Sequence, residues 1–514
     1  MIYRITRLSG VFTAWGLALV LVAASSAQTT STAAGLRLGA PFTDHMVFQA
    51  EAPVRIWGWD TPGGVVTVTL AGHEAKTNAD ASGRWQVELP EVVEVGPYEL
   101  VIAGSETITL TDVVAGEVWL CSGQSNMGWP VRSSWGQKWV LKMSPQPNLR
   151  LLKVPLTSTA DPSDDIDVQW QISEPSNLEG FSAVAFFFGH DLRRNLDRPI
   201  GLIQAAWGGS KIRAWLPPET LDASPHAQRL HNAYAKNVEN YEAAIAKWEA
   251  GGRAGKKPGW MGAGPQHVPS ALANGMIHPL QPLSIRGVLW YQGESDAWQP
   301  RLYHDLFVDL VESWREGFGN SELPVYFVQL PNFAKGKANW AGFRNQQRLT
   351  ALELPNVDMA VTIDVGKADD IHPPQKQPVG LRLARLALHH TYGRTALLPG
   401  SPRPVDVRLD PDTPGGVLVT FDRVGDGLRT GETGDPPTAF VLGDRSGTRK
   451  EAQAQIVGLD TVALTHPDVP DPVDVRYANH ASPSVNLVNS EGLPATPFQI
   501  EIVGAVPSDI SEPE

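Results

Sequence analysis

A chain of 514 residues is too long for one ordinary domain, and its apolar and charged fractions are those of a globular protein. A formal net charge of −13 argues against nucleic acid and anionic membrane as partners. The single cysteine, Cys121, excludes an intrachain disulfide. In an exported protein that suits a bacterial periplasm or the extracellular space better than a disulfide-stapled module.

Residues 1–27 read as a secretory signal peptide. Arg4 and Arg7 precede an apolar run over 11–23, and Ser25 and Ala27 supply small residues for cleavage. The run is shorter than the roughly 20 residues a bilayer span needs, so no stable membrane insertion is expected. Removing it takes away two arginines and no acid, which moves the net charge to −15.

Over 28–112 short alternating runs (54–57, 65–70, 85–89, 98–103 and 108–110) are separated by turn formers such as Pro62-Gly63-Gly64. That punctuation predicts an N-terminal β-sandwich module. From 113 to 398 the rhythm becomes strand then helix. Buried strands are expected at 118–121, 200–205, 285–291, 325–329 and 359–363, and helices at 184–196, 303–318, 343–352 and 378–390. Such alternation predicts an α/β domain with a mostly parallel sheet covered on both faces. A polar helical stretch and a Gly/Pro-rich tract over 225–269 read as an insertion near the site. After Pro399-Gly400 a second β-rich module runs to 514, with a frayed tail from Pro507.

Four segments fall at expected strand ends, which in an open α/β sheet meet at one crevice. They are Gly123-Gln124-Ser125-Asn126-Met127, Trp207-Gly208-Gly209-Ser210, Trp290-Tyr291-Gln292-Gly293-Glu294-Ser295-Asp296 and Asp369-Asp370-Ile371-His372-Pro373. A serine in such a turn is a weak nucleophile until a base takes its proton. His372 can be that base, with Asp369 (three residues before) or Asp370 (two before) orienting the ring. The backbone N–H groups of Ser125 and Gly209 and the side-chain amide of Gln292 are candidate oxyanion donors. A glycine at 209 lets a backbone N–H approach the substrate closely. Cys121 lies within an apolar strand and reads as inert packing.

Together these segments resemble the sialate O-acetylesterase family of SGNH-type, GDSL-like hydrolases. The matching residues are Ser122-Gly123-Gln124-Ser125-Asn126-Met127, Trp207-Gly208-Gly209-Ser210, Trp290-Tyr291-Gln292-Gly293-Glu294 and Asp370-Ile371-His372-Pro373. The likeness extends to residues 44–49 and to Asn486-Leu487 with Glu491-Gly492-Leu493-Pro494. It implies an SGNH-type three-layer hydrolase domain flanked by two β-sandwich-like modules. The implied activity is a serine esterase that removes O-acetyl groups from sialate or other glycans, with no metal and no cofactor. It also implies that Gln292 stands where many SGNH enzymes carry an asparagine. Arg213 stands where relatives often carry Glu, and the region of Tyr477-Ala478 lacks an expected tryptophan.

Gln124, Asn126, Trp129, Arg213 and Glu294 are the candidate substrate contacts, with Arg213 or Lys211 available to a sugar carboxylate. Trp129, Trp215 and Trp298 can stack on a sugar ring or serve the core. Two rival readings exist: a carbohydrate-binding protein on a degenerate hydrolase scaffold, and a glycoside hydrolase using Glu294 with Asp296. Oligomeric state is not legible.

Overall fold

The computed structural model describes residues 35–259, 262, 264–431 and 434–502. The expected signal peptide and the tail from Pro507 lie outside the described residues. The protein is a mixed α/β structure with one large mixed sheet and further β-sheet modules.

One strand organises the large sheet. Thr107–Gly123 (β1) is 17 residues long and begins with alternating exposure, as expected of a sheet wet on one side. From Val113 onward every residue is buried. Its first half pairs antiparallel with Tyr98–Ala103, and its middle pairs parallel with Val47–Gln49. Its second half lies between two parallel neighbours, Ile200–Ala206 (β4) and Gly287–Tyr291 (β5). The boundary expected at 112 therefore falls inside a continuous strand.

Beyond these, Gln146–Lys153 (β2) and Trp170–Ser173 (β3) extend one side, and Val325–Val328 (β6) and Val357–Ala360 (β7) the other. The order is β3-β2-β4-β1-β5-β6-β7, parallel except for β3 against β2. The period-2 alternation of side chains sorts the strands onto two cores. Val118, Leu120, Val288 and Trp290 face a core shared with helices Pro300–Gly317 (α3) and Trp340–Glu353 (α4). Trp119, Cys121, Leu289 and Tyr291 face one shared with Ala183–Leu196 (α1) and Gln377–His390 (α5). Burial on both faces explains why these strands read as continuous apolar runs. The stretch over 225–255 holds one long, largely exposed helix, Pro225–Ala250 (α2).

Two four-stranded sheets make the C-terminal module, and buried polar side chains join it to the α/β unit. Arg344 on α4 is fully buried and donates to the carbonyls of Leu330, Pro331, His480 and Ala481. Asp358 on β7 accepts from both terminal nitrogens of Arg423, at 3.2 and 2.8 Å, and pairs with His390 Nε2 at 2.9 Å. Burial alone would push the Asp358 carboxyl up. The His390 hydrogen bond, the Arg423 charge and hydrogen bond and the Met359 N–H overcome it and hold the group at about 2.

A carboxyl depressed on folding stabilises above its unfolded value, and that contribution disappears as pH falls through the folded value. Asp358→Asn is expected to cost about 3–5 kcal/mol near neutrality, the range for breaking a buried ion pair. Urea unfolding of both proteins, followed from neutrality toward pH 2, should find the gap narrowing below about pH 4 as both forms approach a protonated partner. A gap that is constant across this range would contradict the role given to the ion pair.

Candidate active site

Three of the segments singled out in the sequence follow the ends of the adjacent strands β4, β1 and β5, and the fourth lies in the loop after the edge strand β7. At its C-terminal end β1 runs in register with both neighbours, Gly123 opposite Ala206 on one side and Tyr291 on the other. Gly123 has φ +133°, and a Cβ there would lie 2.2 Å from the Tyr291 carbonyl oxygen. Only glycine lets the chain leave the sheet in this narrow slot. The turn that follows carries Ser125, which is partly exposed although its neighbours Gln124 and Asn126 are buried.

His372 comes from the loop after β7, ahead of α5. Its Nε2 lies 2.9 Å from Ser125 Oγ, within hydrogen-bond reach for proton transfer. Burial holds the imidazole below its usual range, the Lys376 charge adds to this, and Asp370 opposes it. A neutral ring with Nε2 unprotonated is what a base requires.

Of the two acids before the histidine, Asp370 makes the contact. Its Oδ1 accepts the backbone N–H of His372 at 2.9 Å. Asp369 is exposed, at a turn closed by the bridge between Lys367 and Asp370. Among the described residues no hydrogen bond joins either carboxylate to the ring, so Asp370 acts on the loop and through its field.

Facing Ser125 is the loop after β4. A Cβ on Gly208 would come 3.4 Å from that of Ser125, and Gly209 has φ +74° with open space around it. Among the described residues the backbone N–H groups of Ser125 and Gly209 have no protein acceptor. Two unpaired donors beside a serine–histidine pair can stabilise a developing oxyanion.

Gln292, the third expected donor, is committed elsewhere. Its Nε2 donates to the Ser210 carbonyl at 3.1 Å and to Asp296 Oδ2 at 2.6 Å. Both neighbours are acceptors, so the amide cannot be turned round, and it is fully buried. It belongs to a clamp that sequence reasoning missed. Asp296 Oδ2 also accepts the Ile212 N–H at 2.9 Å, and Ser295 Oγ donates to the Gly209 carbonyl at 3.1 Å. The loop carrying Gly209 is thereby bolted to the loop after β5.

Most expected substrate contacts lie beneath the crevice. Gln124 Oε1 receives the N–H groups of Gly293 and Ser295 at 3.5 and 3.4 Å. Asn126 donates to Glu294 Oε1 at 2.5 Å and to the Ile371 carbonyl at 2.9 Å, and accepts from Lys376 Nζ at 2.5 Å. Glu294, in turn, is buried, and burial raises its carboxyl. The Trp129 indole is stacked on His372 with ring centres 5.0 Å apart and planes 18° from parallel. Arg213 is buried, directs Nε and Nη2 to the His267 carbonyl, each at 3.3 Å, and lies over the Tyr234 ring. All five were expected on the substrate side, but Gln124, Asn126, Arg213 and Glu294 are drawn inward, since a buried polar group needs partners, while Trp129 stays partly exposed against His372.

Trp215 is fully buried, with Nε1 on Ser210 Oγ, whereas Trp298 is exposed. Cys121 is buried and its thiol is pushed far above the usual range. Glu294 and Asp296 both hold loops together, which speaks against a glycosidase pair.

Residues 115–389 match the family model for carbohydrate esterase, sialic acid-specific acetylesterase. A sialate O-acetylesterase of Mus musculus is 32% identical over 443 residues, covering 77% of this chain and 80% of that protein. That of Homo sapiens is 33% identical over 420 residues, covering 74% of this chain and 75% of its own. Among solved structures, a carbohydrate acetylesterase from Xanthomonas citri superposes with a TM-score of 0.79 at 33% identity, covering 90% of this chain and 99% of that one. The family match spans β1 through α5, the stretch that carries Ser125, Gly209 and His372. The chain therefore belongs to the carbohydrate esterase family of sialic acid-specific acetylesterases and is a carboxylic ester hydrolase.

Proposed function

We propose that this protein is an exported serine esterase that hydrolyses O-acetyl esters on carbohydrates through an acyl-enzyme, on an SGNH-type three-layer domain. The observation that carries the reading is the 2.9 Å approach of His372 Nε2 to Ser125 Oγ beside two unpaired backbone N–H groups. Export rests on Arg4, Arg7 and the apolar run over 11–23.

In the first half-reaction Ser125 Oγ attacks the acetyl carbon as His372 Nε2 takes its proton. The carbonyl oxygen gains the negative charge and accepts from the N–H groups of Ser125 and Gly209. Collapse breaks the bond to the sugar oxygen, which leaves with the proton from His372. In the second, His372 takes a proton from water, the hydroxide attacks acetyl-Ser125, and acetate departs as the serine is reprotonated. Asp370 holds the His372 backbone and stabilises the transient imidazolium. Asp369 is assigned no such part, being exposed.

The relatives' names make 9-O-acetylated sialate the first substrate to test, and acetylated xylan the neutral alternative. Arg213 is not assigned to a sugar carboxylate, because its guanidinium is engaged with His267 and Tyr234.

Wild type should release acetate from at least one of these substrates, and Ser125→Ala should release none above background. Equal release by Ser125→Ala would identify another nucleophile. For the wild type, kcat/KM should fall on the acid side with a midpoint below 6.5, because burial and the Lys376 charge lower the imidazole from that value. A profile flat down to pH 4 would remove His372 as the base.

A further inference from the structure

Lys376 is the residue of this region that neither the sequence motifs nor the proposed reaction uses. It stands at the N-cap of α5 and is 1% exposed. A buried ammonium is costly, and a helix N-terminus repels a cation, so packing alone gives no reason for a lysine here. What surrounds it is specific. Nζ donates to Asn126 Oδ1 at 2.5 Å and lies over the rings of Trp129, at 5.7 Å, and Tyr291, at 5.4 Å. Asn126 follows Ser125 directly, and its other end holds Glu294 and the carbonyl of Ile371, the residue before His372. The opposite partner, Trp129, is the indole stacked on His372.

The nucleophile turn and the base loop thus share one buried cation. We propose, on the reading of the protein as a serine esterase, that Lys376 is a positioning residue of the reaction: through Asn126 and Trp129 it sets Ser125 against His372, and its charge acts on the ring.

The groups facing Lys376 are Glu294, across Asn126, Asp370 and the Tyr291 ring. Those facing His372 are Ser125, Lys376 and Asp370. Burial brings the ammonium down to about 7, against the opposing pull of Glu294 and Asp370. In its protonated form it sets a positive charge close to His372. A positive charge there favours the neutral imidazole, so removing it makes the ring easier to protonate.

The test uses Lys376→Met, Lys376→Gln and Lys376→Arg in the full chain, with Ser125→Ala alongside and thermal melts to establish folding. Met and Gln both remove the cation, so either one folded is sufficient. Each should lower kcat by about 10²-fold, the scale of a misplaced catalytic pair, with KM little changed. The acid limb of the remaining kcat/KM should move to higher pH. Lys376→Arg keeps the cation and should keep the wild-type acid limb. A folded Met or Gln variant with kcat near wild type, or with lost kcat and an unmoved acid limb, would overturn the proposal. Activity surviving in Ser125→Ala would instead overturn the serine-esterase reading, which separates the two failures.

Discussion

At Gly123 the chain leaves the sheet through a gap that admits no side chain, with the Tyr291 carbonyl 2.2 Å from where a Cβ would stand. This exit is possible because β1 is gripped in register by β4 and β5 up to its last residue. The same register sets where β4 and β5 end, and hence where the loops carrying Gly209 and Gln292 begin. Site geometry is in this sense a consequence of strand pairing. The active turn inherits its precision from a hydrogen-bonded ladder buried on both faces, where a slip of one residue would turn every apolar side chain to the wrong core.

A second constraint is polar. The crevice is floored by buried and partly buried polar groups that bond one another. Gln292, Asp296 and Ser295 tie the Gly209 loop to the β5 loop. Asn126 ties the Ser125 turn to Glu294, to the Ile371 carbonyl and to Lys376. These bonds fix the loops that carry Ser125, Gly209 and His372 to one another. Supporting residues of this kind decide whether a nucleophile and its base stay within reaction distance. The ties to the C-terminal module, through Arg344 and Asp358, act farther out, on the ends of β6 and β7.

Much of this was legible from the residues. Apolar runs of five or so residues marked the central strands, because strands covered on both faces have few polar positions. Ser125 and Gly209 were legible because each stands in a short turn after such a run, and His372 because two acids precede it and a proline follows. Two strands of the β3-β2-β4-β1-β5-β6-β7 array escaped: Gln146–Lys153 is broken up by Pro147, Arg150 and Lys153, and Trp170–Ser173 is only four residues long. The clamp and the Lys376 link were not legible, since they depend on which way buried amides point. Gln292 illustrates the difficulty. Its position after β5 was readable, but its direction is decided by Asp296 and the Ser210 carbonyl, which become neighbours only in the folded chain. Sequence likewise offered two acids for His372, and local backbone geometry distinguishes the one that accepts its N–H from the one exposed at a turn.

In the proposed reaction the acetyl group passes through Ser125. Rapid quenching during turnover of an activated acetyl ester, followed by digestion and mass spectrometry, tests it directly. An acetyl adduct is expected on the peptide carrying Ser125, formed in the wild type and lost as substrate is exhausted. Sustained turnover with no adduct on that peptide, or with the acetyl on another residue, would contradict it.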